Sequence, residues 1–247
     1  MKLDKHYTDP RLVALYDRDN PRGIDTDFYI QLASELNAQQ ILDLGCGTGT
    51  LTCELAIADR HIIGIDPSAA MLAVAREKPG AERVEWIKGD SSQLGGHGVD
   101  LAIMTGNVAQ VFLDDIEWTT TLNALHAAIH PGGYLAFESR NPVVRAWESW
   151  GRDDTYEEID TPFGPMTCWM DVLNTDNGIV EFVGYNVFEL TGDEVAVSSR
   201  LCFRSEAELA TSLTNSGFRI KALHGNWNKR PFESQTSQLM IFVAQRV

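Results

Sequence analysis

Residues 40–58 read QILDLGCGTGTLTCELAIA, an apolar run that breaks at three alternating glycines and resumes with helical spacing. The run over 40–45 predicts a strand, and 48–58 predicts the helix that follows it. Gly45, Gly47 and Gly49 stand between them, where the chain must turn sharply and can lie close to a bound ligand. A glycine-rich turn with no ligand is the alternative. A dinucleotide fingerprint would need glycine three places after Gly47, and Thr50 stands there, which disfavours NAD and FAD.

The same pattern continues outward. HIIGID (61–66), RVEWIKG (83–89), VDLAIMTG (99–106) and GYLAFES (133–139) predict four more strands, most of them with few polar interruptions. Helices are expected over 68–77, capped by Ser68, and over 114–129. Asp114 and Glu117 have capping-box spacing at the start of the latter, and Pro131-Gly132-Gly133 should end it. Such alternation predicts an α/β chain with a parallel sheet and right-handed crossovers. Ligands on such a sheet lie beyond the carboxyl ends of the strands.

Residues 152–204 follow a period of two instead, broken at turn-forming clusters such as Thr175-Asp176-Asn177-Gly178. That spacing predicts an antiparallel meander of up to four strands. A helix opens at Ser205 with Glu208 completing a capping box and closes at Gly217, and strands follow over 218–225 and 237–247. The first 39 residues read as amphipathic helices near 10–18 and 24–37. The organisation expected is a helical lid over 1–39, a ligand-binding core over 40–151 and 205–247, and a β insertion over 152–204 that covers the site or makes a dimer contact.

The 247 residues carry 35 acidic and 20 basic side chains, a formal charge of −15. Such a field repels nucleic acid and anionic lipid, so neither is an expected partner. The apolar runs are all too short for a membrane span, and the charged start does not read as a secretory signal. Cys46, Cys53, Cys168 and Cys202 have no metal-ligand spacing, so free thiols, no metal and a cytoplasmic setting are expected. The protein would be a monomer or a homodimer.

Polar residues collect at the strand ends. Asp66 closes the second strand and can accept the two hydroxyls of a ribose, or simply cap the helix that follows. Asp90-Ser91 after the third strand can meet an adenine edge, or be a solvated loop. Thr105-Gly106-Asn107 after the fourth opens toward both cofactor and substrate.

Taken in order, ILDLGCGTGTLTCELA, GIDPSAAMLAVAREK, the Asp90 loop, VDLAIMTGNVAQVF and LHAAIHPGGYLAFE resemble the motifs of the class I S-adenosylmethionine-dependent methyltransferases. The resemblance covers roughly 40–140. LYDRDNP, DTDFYIQLA, ESRNPVVRAWESW and LHGNWNKRPF are similar to a bacterial subgroup of small methyltransferases of mostly unassigned substrate. It implies a Rossmann-like seven-stranded sheet of order 3-2-1-4-5-7-6, here with an antiparallel β insertion after strand five. It also implies S-adenosylmethionine as cofactor and S-adenosylhomocysteine as product. The sulfonium makes its methyl electrophilic already, so a general base matters only if the attacking atom holds its proton at neutral pH, and no catalytic residue is assigned. Gly45, Cys46 and Gly47 would line the methionine portion, with Asp43 ordering the loop and reaching the amino group. Asp66 would hold the ribose, Pro67 and Met71 would pack on adenine, and Asp90 and Ser91 would meet its edge. Thr105 and Gly106 would face the ammonium end. Tyr16 would close over the methionine carboxylate, or merely pack its helix.

The acceptor expected is a small molecule with an O or N nucleophile. Substrate-facing candidates are Asn107, Gln110, Arg140, Asn141, Arg145, Trp147 and Trp227. The tetrapeptide that adenine-specific amino methyltransferases carry after strand four is replaced here by Gly106-Asn107-Val108-Ala109. Two other readings remain: a non-catalytic cofactor-binding or scaffold protein, and a Rossmann oxidoreductase that Thr50 argues against.

Overall fold

Two helices precede the first strand in the computed structural model, which describes residues 3–57 and 59–247. Helix α1 (Pro10–Asp19) starts at Asp9, whose side chain accepts from the Arg11 N–H, and α2 (Ile24–Glu35) follows the Pro21–Gly23 break. Strand β1 (Gln40–Leu44) is buried in all but its first residue. The chain then alternates: α3 (Thr50–Leu55), β2 (His61–Asp66), α4 (Ala69–Ala75), β3 (Val84–Lys88), β4 (Val99–Met104), α5 (Asp115–Ala128) and β5 (Ile129–Arg140). A one-turn helix, α6 (Arg152–Thr155), leads into β6 (Glu157–Thr161), β7 (Gly164–Asp176), β8 (Ile179–Phe188) and β9 (Asp193–Cys202). Helix α7 (Glu206–Asn215), β10 (Phe218–His224) and β11 (Leu239–Arg246) complete the fold.

Seven strands form one sheet in the order β10-β11-β5-β4-β1-β2-β3, as expected for the class I methyltransferase sheet. All pairings from β3 through β5 are parallel, and β11 alone runs against the rest, pairing antiparallel with both β5 and β10. The order reverses between β1 and β4, which opens the ligand crevice of such sheets above the ends of those two strands. Period-two alternation splits the core between the faces. Leu42, Leu44, Ile63 and Phe137 pack under α5 and α7, while Ile41, Ile62, Leu101 and Ile241 pack under α2 and α3. Helix α2 is therefore part of the core layer, through Phe28, Tyr29, Leu32 and Ala33.

The four-stranded meander forms a separate sheet, β6-β7-β8-β9. Its inner face meets α1: Leu12 and Leu15 pack with Met166, Phe188, Val195 and Val197. Arg11 lies 4.1 Å over the Phe188 ring and pairs with Asp193 at 3.0 Å.

Three local expectations shift. The helix after the glycine loop starts at Thr50, not 48, because Gly47 and Gly49 hold positive φ of 56° and 73° and keep the chain out of helical geometry. It ends at Leu55, and Ala58, the last residue of the expected helix, lies outside the described residues. Helix α5 ends at Ala128 and passes directly into β5, which takes in His130-Pro131-Gly132-Gly133 because Ile129 already pairs with Val99. Asp114 caps α5 through the Glu117 N–H at 2.8 Å, whereas α7 has the full reciprocal box between Ser205 and Glu208. No helix of the described residues is long and apolar enough to cross a membrane.

Candidate functional site

The glycine loop is tied down before any ligand arrives. Gly45 and Cys46 donate their N–H groups to Ile65 O at 2.7 and 3.1 Å. Gly47 N–H donates to Asp66 Oδ2 at 2.9 Å, and Ser68 N–H to Asp66 Oδ1 at 2.7 Å. Ser68 itself is the cap of α4, its Oγ accepting from Met71 N–H at 3.1 Å. Asp66 thus fixes the loop rather than capping the helix, and each of its oxygens keeps a lone pair for another donor. A side chain at Gly45 or Gly49 would strike Val108 or Trp86, the ideal Cβ falling 2.6 and 2.5 Å from their atoms. Gly47 is different: a Cβ there would enter a space bounded by Met71 Cε at 3.8 Å and Tyr16 Cε1 at 3.9 Å. That leaves an open cradle in the middle of the loop.

Asp43 is the deepest of the charged groups. Its Oδ2 accepts from Thr52 Oγ at 2.7 Å, while Oδ1 is buried with no partner among the described residues. Burial raises its pKa to about 7 against the pull of the Thr52 hydrogen bond, with the charges of Asp66 and Glu138 adding to the rise. Glu138, near the end of β5, is also buried and raised by desolvation; it accepts from the Tyr29 hydroxyl and from Asn107 N–H at 2.6 Å. Asp43, Asp66 and Glu138 have no lysine, arginine or histidine within ion-pair distance among the described residues. A cation is what this arrangement lacks.

The N-terminal segment is strapped across the loop. Asp17 accepts from Thr48 and Thr50 and pairs with Lys78, and Tyr7 O accepts from Ser68 Oγ at 2.6 Å. Tyr16 faces Gly47 from α1, and burial together with Asp66 and Asp17 pushes its hydroxyl up to about 12.

Other expected residues are distributed unevenly. Cys46 is buried against Gly64, and burial raises its thiol pKa, so it offers its backbone rather than sulfur. Pro67 is half-buried between Asp66 and Ser68. Asp90 is exposed and caps a short turn by accepting from Ser92 N–H at 2.9 Å, while Ser91 Oγ receives the Thr121 hydroxyl at 3.0 Å. Thr105, Gly106 and Asn107 form the turn after β4, with φ of 70° at Gly106 and 61° at Asn107. Gln110 is fully buried and bonds Arg140.

Four substrate-facing candidates lie elsewhere. Asn141 is buried and spends its amide on Ser234 O, Ser237 O and the Val143 N–H, so it is structural. Arg145 pairs with Glu148 at 2.7 Å and, with Trp147, lines an outer groove that includes Asp171 and Val172 but none of the loop residues. Trp227 packs on Phe28 and Tyr29 behind α2. Conversely, Glu138, Tyr29, Asp17 and Thr52 were not singled out from sequence. Only Glu138 left a trace there, as an acid inside the otherwise apolar strand GYLAFES. No cluster of metal-ligating residues occurs among the described residues.

Residues 41–133 match the model of a methyltransferase domain. Over 116 residues the chain is 31% identical to the ubiquinone/menaquinone biosynthesis C-methyltransferase of Rubrivivax gelatinosus, a match covering 47% of this chain and 45% of that protein. It spans about half the length of the curated relatives it matches. Among solved structures, an S-adenosylmethionine-dependent methyltransferase from Clostridium acetobutylicum superposes with TM-score 0.77 at 17% identity, covering 94% of this chain and 96% of the other. The S-adenosylmethionine-bound amino pentose methyltransferase of Micromonospora echinaspora does so with TM-score 0.69 at 18% identity, over 95% of both chains. At such identities these likenesses speak for the fold. Residues 41–133 are thus similar to a methyltransferase domain, and the whole chain has the fold of the solved S-adenosylmethionine-dependent methyltransferases. The Micromonospora echinaspora protein was solved with S-adenosylmethionine bound.

The site suits that cofactor on its own terms. The molecule carries an ammonium and a sulfonium, and three buried carboxylates here lack cations. Gly47, unlike Gly45 and Gly49, would admit a further atom without a clash.

Proposed function

We propose that this protein transfers the methyl group of S-adenosylmethionine to a small molecule with an oxygen or nitrogen nucleophile. The observation that carries the reading is the buried Asp43 Oδ1, without a partner among the described residues, on the strand that leads directly into the glycine loop. When bound, the cofactor would supply an electrophilic methyl to the acceptor's lone pair, with the C–S pair staying on sulfur. Asp43 holds the ammonium, Asp66 receives the ribose hydroxyls on its free lone pairs, and the backbone of Gly45, Cys46 and Gly47 lines the methionine portion. Pro67 and Met71 pack on adenine, whose edge meets Asp90 and Ser91. Thr105 and Gly106 face the ammonium, and Tyr16 closes the far side. The chain's contribution is alignment and exclusion of water, which suffices for an in-line displacement.

Helix α1 with the meander behind it forms the cover, an arrangement suited to enclosing a small acceptor rather than a polymer. The −15 charge supports the same choice over nucleic acid. Four free cysteines among the described residues favour a reducing compartment, the cytoplasm. Calorimetric titration with S-adenosylhomocysteine and with NADH tests the reading. Binding of the first in the micromolar range, on the order of −7 to −8 kcal/mol, is expected, and none of the second. Tight NADH binding without S-adenosylhomocysteine binding would replace it with an oxidoreductase. Cofactor binding with no turnover over a broad acceptor panel would favour a non-catalytic binding protein.

A further inference from the structure

Arg140 is the last residue of β5, two positions beyond Glu138 on the same strand face and therefore nearer the crevice. Its side chain is half-buried, and burial lowers the pKa of the guanidinium. Gln110, fully buried on the 3-10 turn Val108–Gln110, accepts from Arg140 Nη1 at 3.0 Å and turns its own amide nitrogen toward Cys202 O at 3.5 Å. One edge of the guanidinium is thereby fixed, while Nε and Nη2 have no protein acceptor among the described residues. The Trp150 ring lies 5.5 Å from Arg140 Cζ and is walled by Phe182 at 5.1 Å and Phe203 at 6.0 Å.

A counter-ion is missing. In a chain with 35 acids and 20 bases, no carboxylate lies within 4.0 Å of this guanidinium among the described residues. Arg204, the other well-buried arginine on the meander side, shows the ordinary solution: it pairs with Asp115 at 3.1 Å and donates to Phe112 O at 2.9 Å over the Trp118 ring. A planar cation held from one side, next to aromatic surface, with Glu138 and Tyr7 acting on it electrostatically but no carboxylate in contact with it, is a preorganised fork for two oxygens. The same turn that carries Gln110 also carries Asn107, whose buried Oδ1 lacks a donor. Anion on one side and hydrogen-bond donor on the other are the complements these groups require.

Building on the methyl-transfer reading, we propose that the acceptor is an anionic small molecule whose carboxylate or phosphate oxygens sit on Arg140. Its apolar body would lie along Trp150, and an O–H or N–H of the molecule would reach Asn107.

The test uses protein saturated with S-adenosylhomocysteine, titrated with phenylacetate, its neutral isostere phenylacetamide, and phenyl phosphate, each to about 10 mM, where contacts of a few kcal/mol still register. Wild type should bind phenylacetate about tenfold or more tightly than phenylacetamide. Arg140→Gln should abolish that preference, and Arg140→Lys, which keeps the charge but not the fork, should lose most of it. Both variants should keep S-adenosylhomocysteine affinity within about threefold. Phenyl phosphate above phenylacetate would identify phosphate as the anion; the reverse would identify carboxylate. Equal binding of acid and amide by wild type, including no signal from either, overturns the proposal. So does an acid preference that survives in Arg140→Gln. Failure of wild type to bind S-adenosylhomocysteine would strike the methyl-transfer reading instead, and the acid–amide comparison on the free protein would still judge Arg140.

Discussion

Asp43→Asn removes a titration from the base of the cofactor site while keeping shape and the Thr52 contact. In the wild-type protein burial holds the Asp43 carboxyl at about 7, above its ordinary value of 3.8. An ammonium at Oδ1 stabilises the carboxylate, so the bound pKa falls back toward the ordinary range. Between pH 7 and pH 5 each ligand must then displace a proton, and affinity should drop about tenfold per pH unit, or about 1.4 kcal/mol. From pH 8 to pH 5 the loss is about a hundredfold. Titration calorimetry with S-adenosylhomocysteine in two buffers of different ionisation enthalpy reads both the affinity and the proton released. The asparagine variant should bind more weakly at pH 8 and show a flat profile. The ligand's own amine titrates equally against both proteins, so the difference in slope belongs to Asp43. Parallel slopes in the two proteins would refute the reasoning. The sign for stability is opposite. Because the folded pKa lies above the unfolded one, Asp43 costs stability as pH rises from 3.8 to about 7, and the Tm of the ligand-free protein should fall across that window.

Asp66→Ala removes the acceptor shared by Gly47, Ser68 and the proposed ribose, and should weaken S-adenosylhomocysteine by about 1.5–3 kcal/mol in the same titration. Gly47→Val would place its branches toward Met71 and Tyr16 at a φ of 56°, and should abolish binding in a protein whose circular dichroism is unchanged. Tyr29→Phe leaves Glu138 Oε2 buried without its donor, a loss of about 1–3 kcal/mol by denaturant unfolding. Phe188→Ala strips α1 of an aromatic partner, with a cost of about 3–5 kcal/mol and faster amide exchange over 10–19.

The residues proposed for the cofactor half of the site are legible in the sequence because their signals are local. Glycines, acids and caps at the ends of β1, β2 and β4 fall within a few residues of the apolar runs that place them. The strand order was not legible from periodicity, which says nothing of neighbours, and came from the family resemblance. What the sequence hid is long-range. Tyr29 meets Glu138 across 109 positions and Asp17 meets Lys78 across 61, pairings that no local pattern marks. Asn141 shows the converse: a polar residue at a strand end faced inward because the carbonyls of Ser234 and Ser237, distant in sequence, claim it. Nor does the sequence show that α1 and the meander form one unit, with Leu12 and Leu15 packed on Met166, Phe188, Val195 and Val197.

Helix α1 is gripped from two sides, by Thr48, Thr50 and Lys78 through Asp17, and by the meander through Leu12, Leu15 and Arg11. For a bound nucleotide this makes entry and exit events of the helix, not of the loop. With an acceptor enclosed between helix and crevice, the nucleotide has to arrive first and depart last. The proposed enclosure predicts a compulsory order, with S-adenosylhomocysteine competing against S-adenosylmethionine but not against the acceptor in product-inhibition kinetics. Each cycle ends only when the Asp17 contacts let go, so weakening them should quicken product escape while loosening the grip on the incoming cofactor.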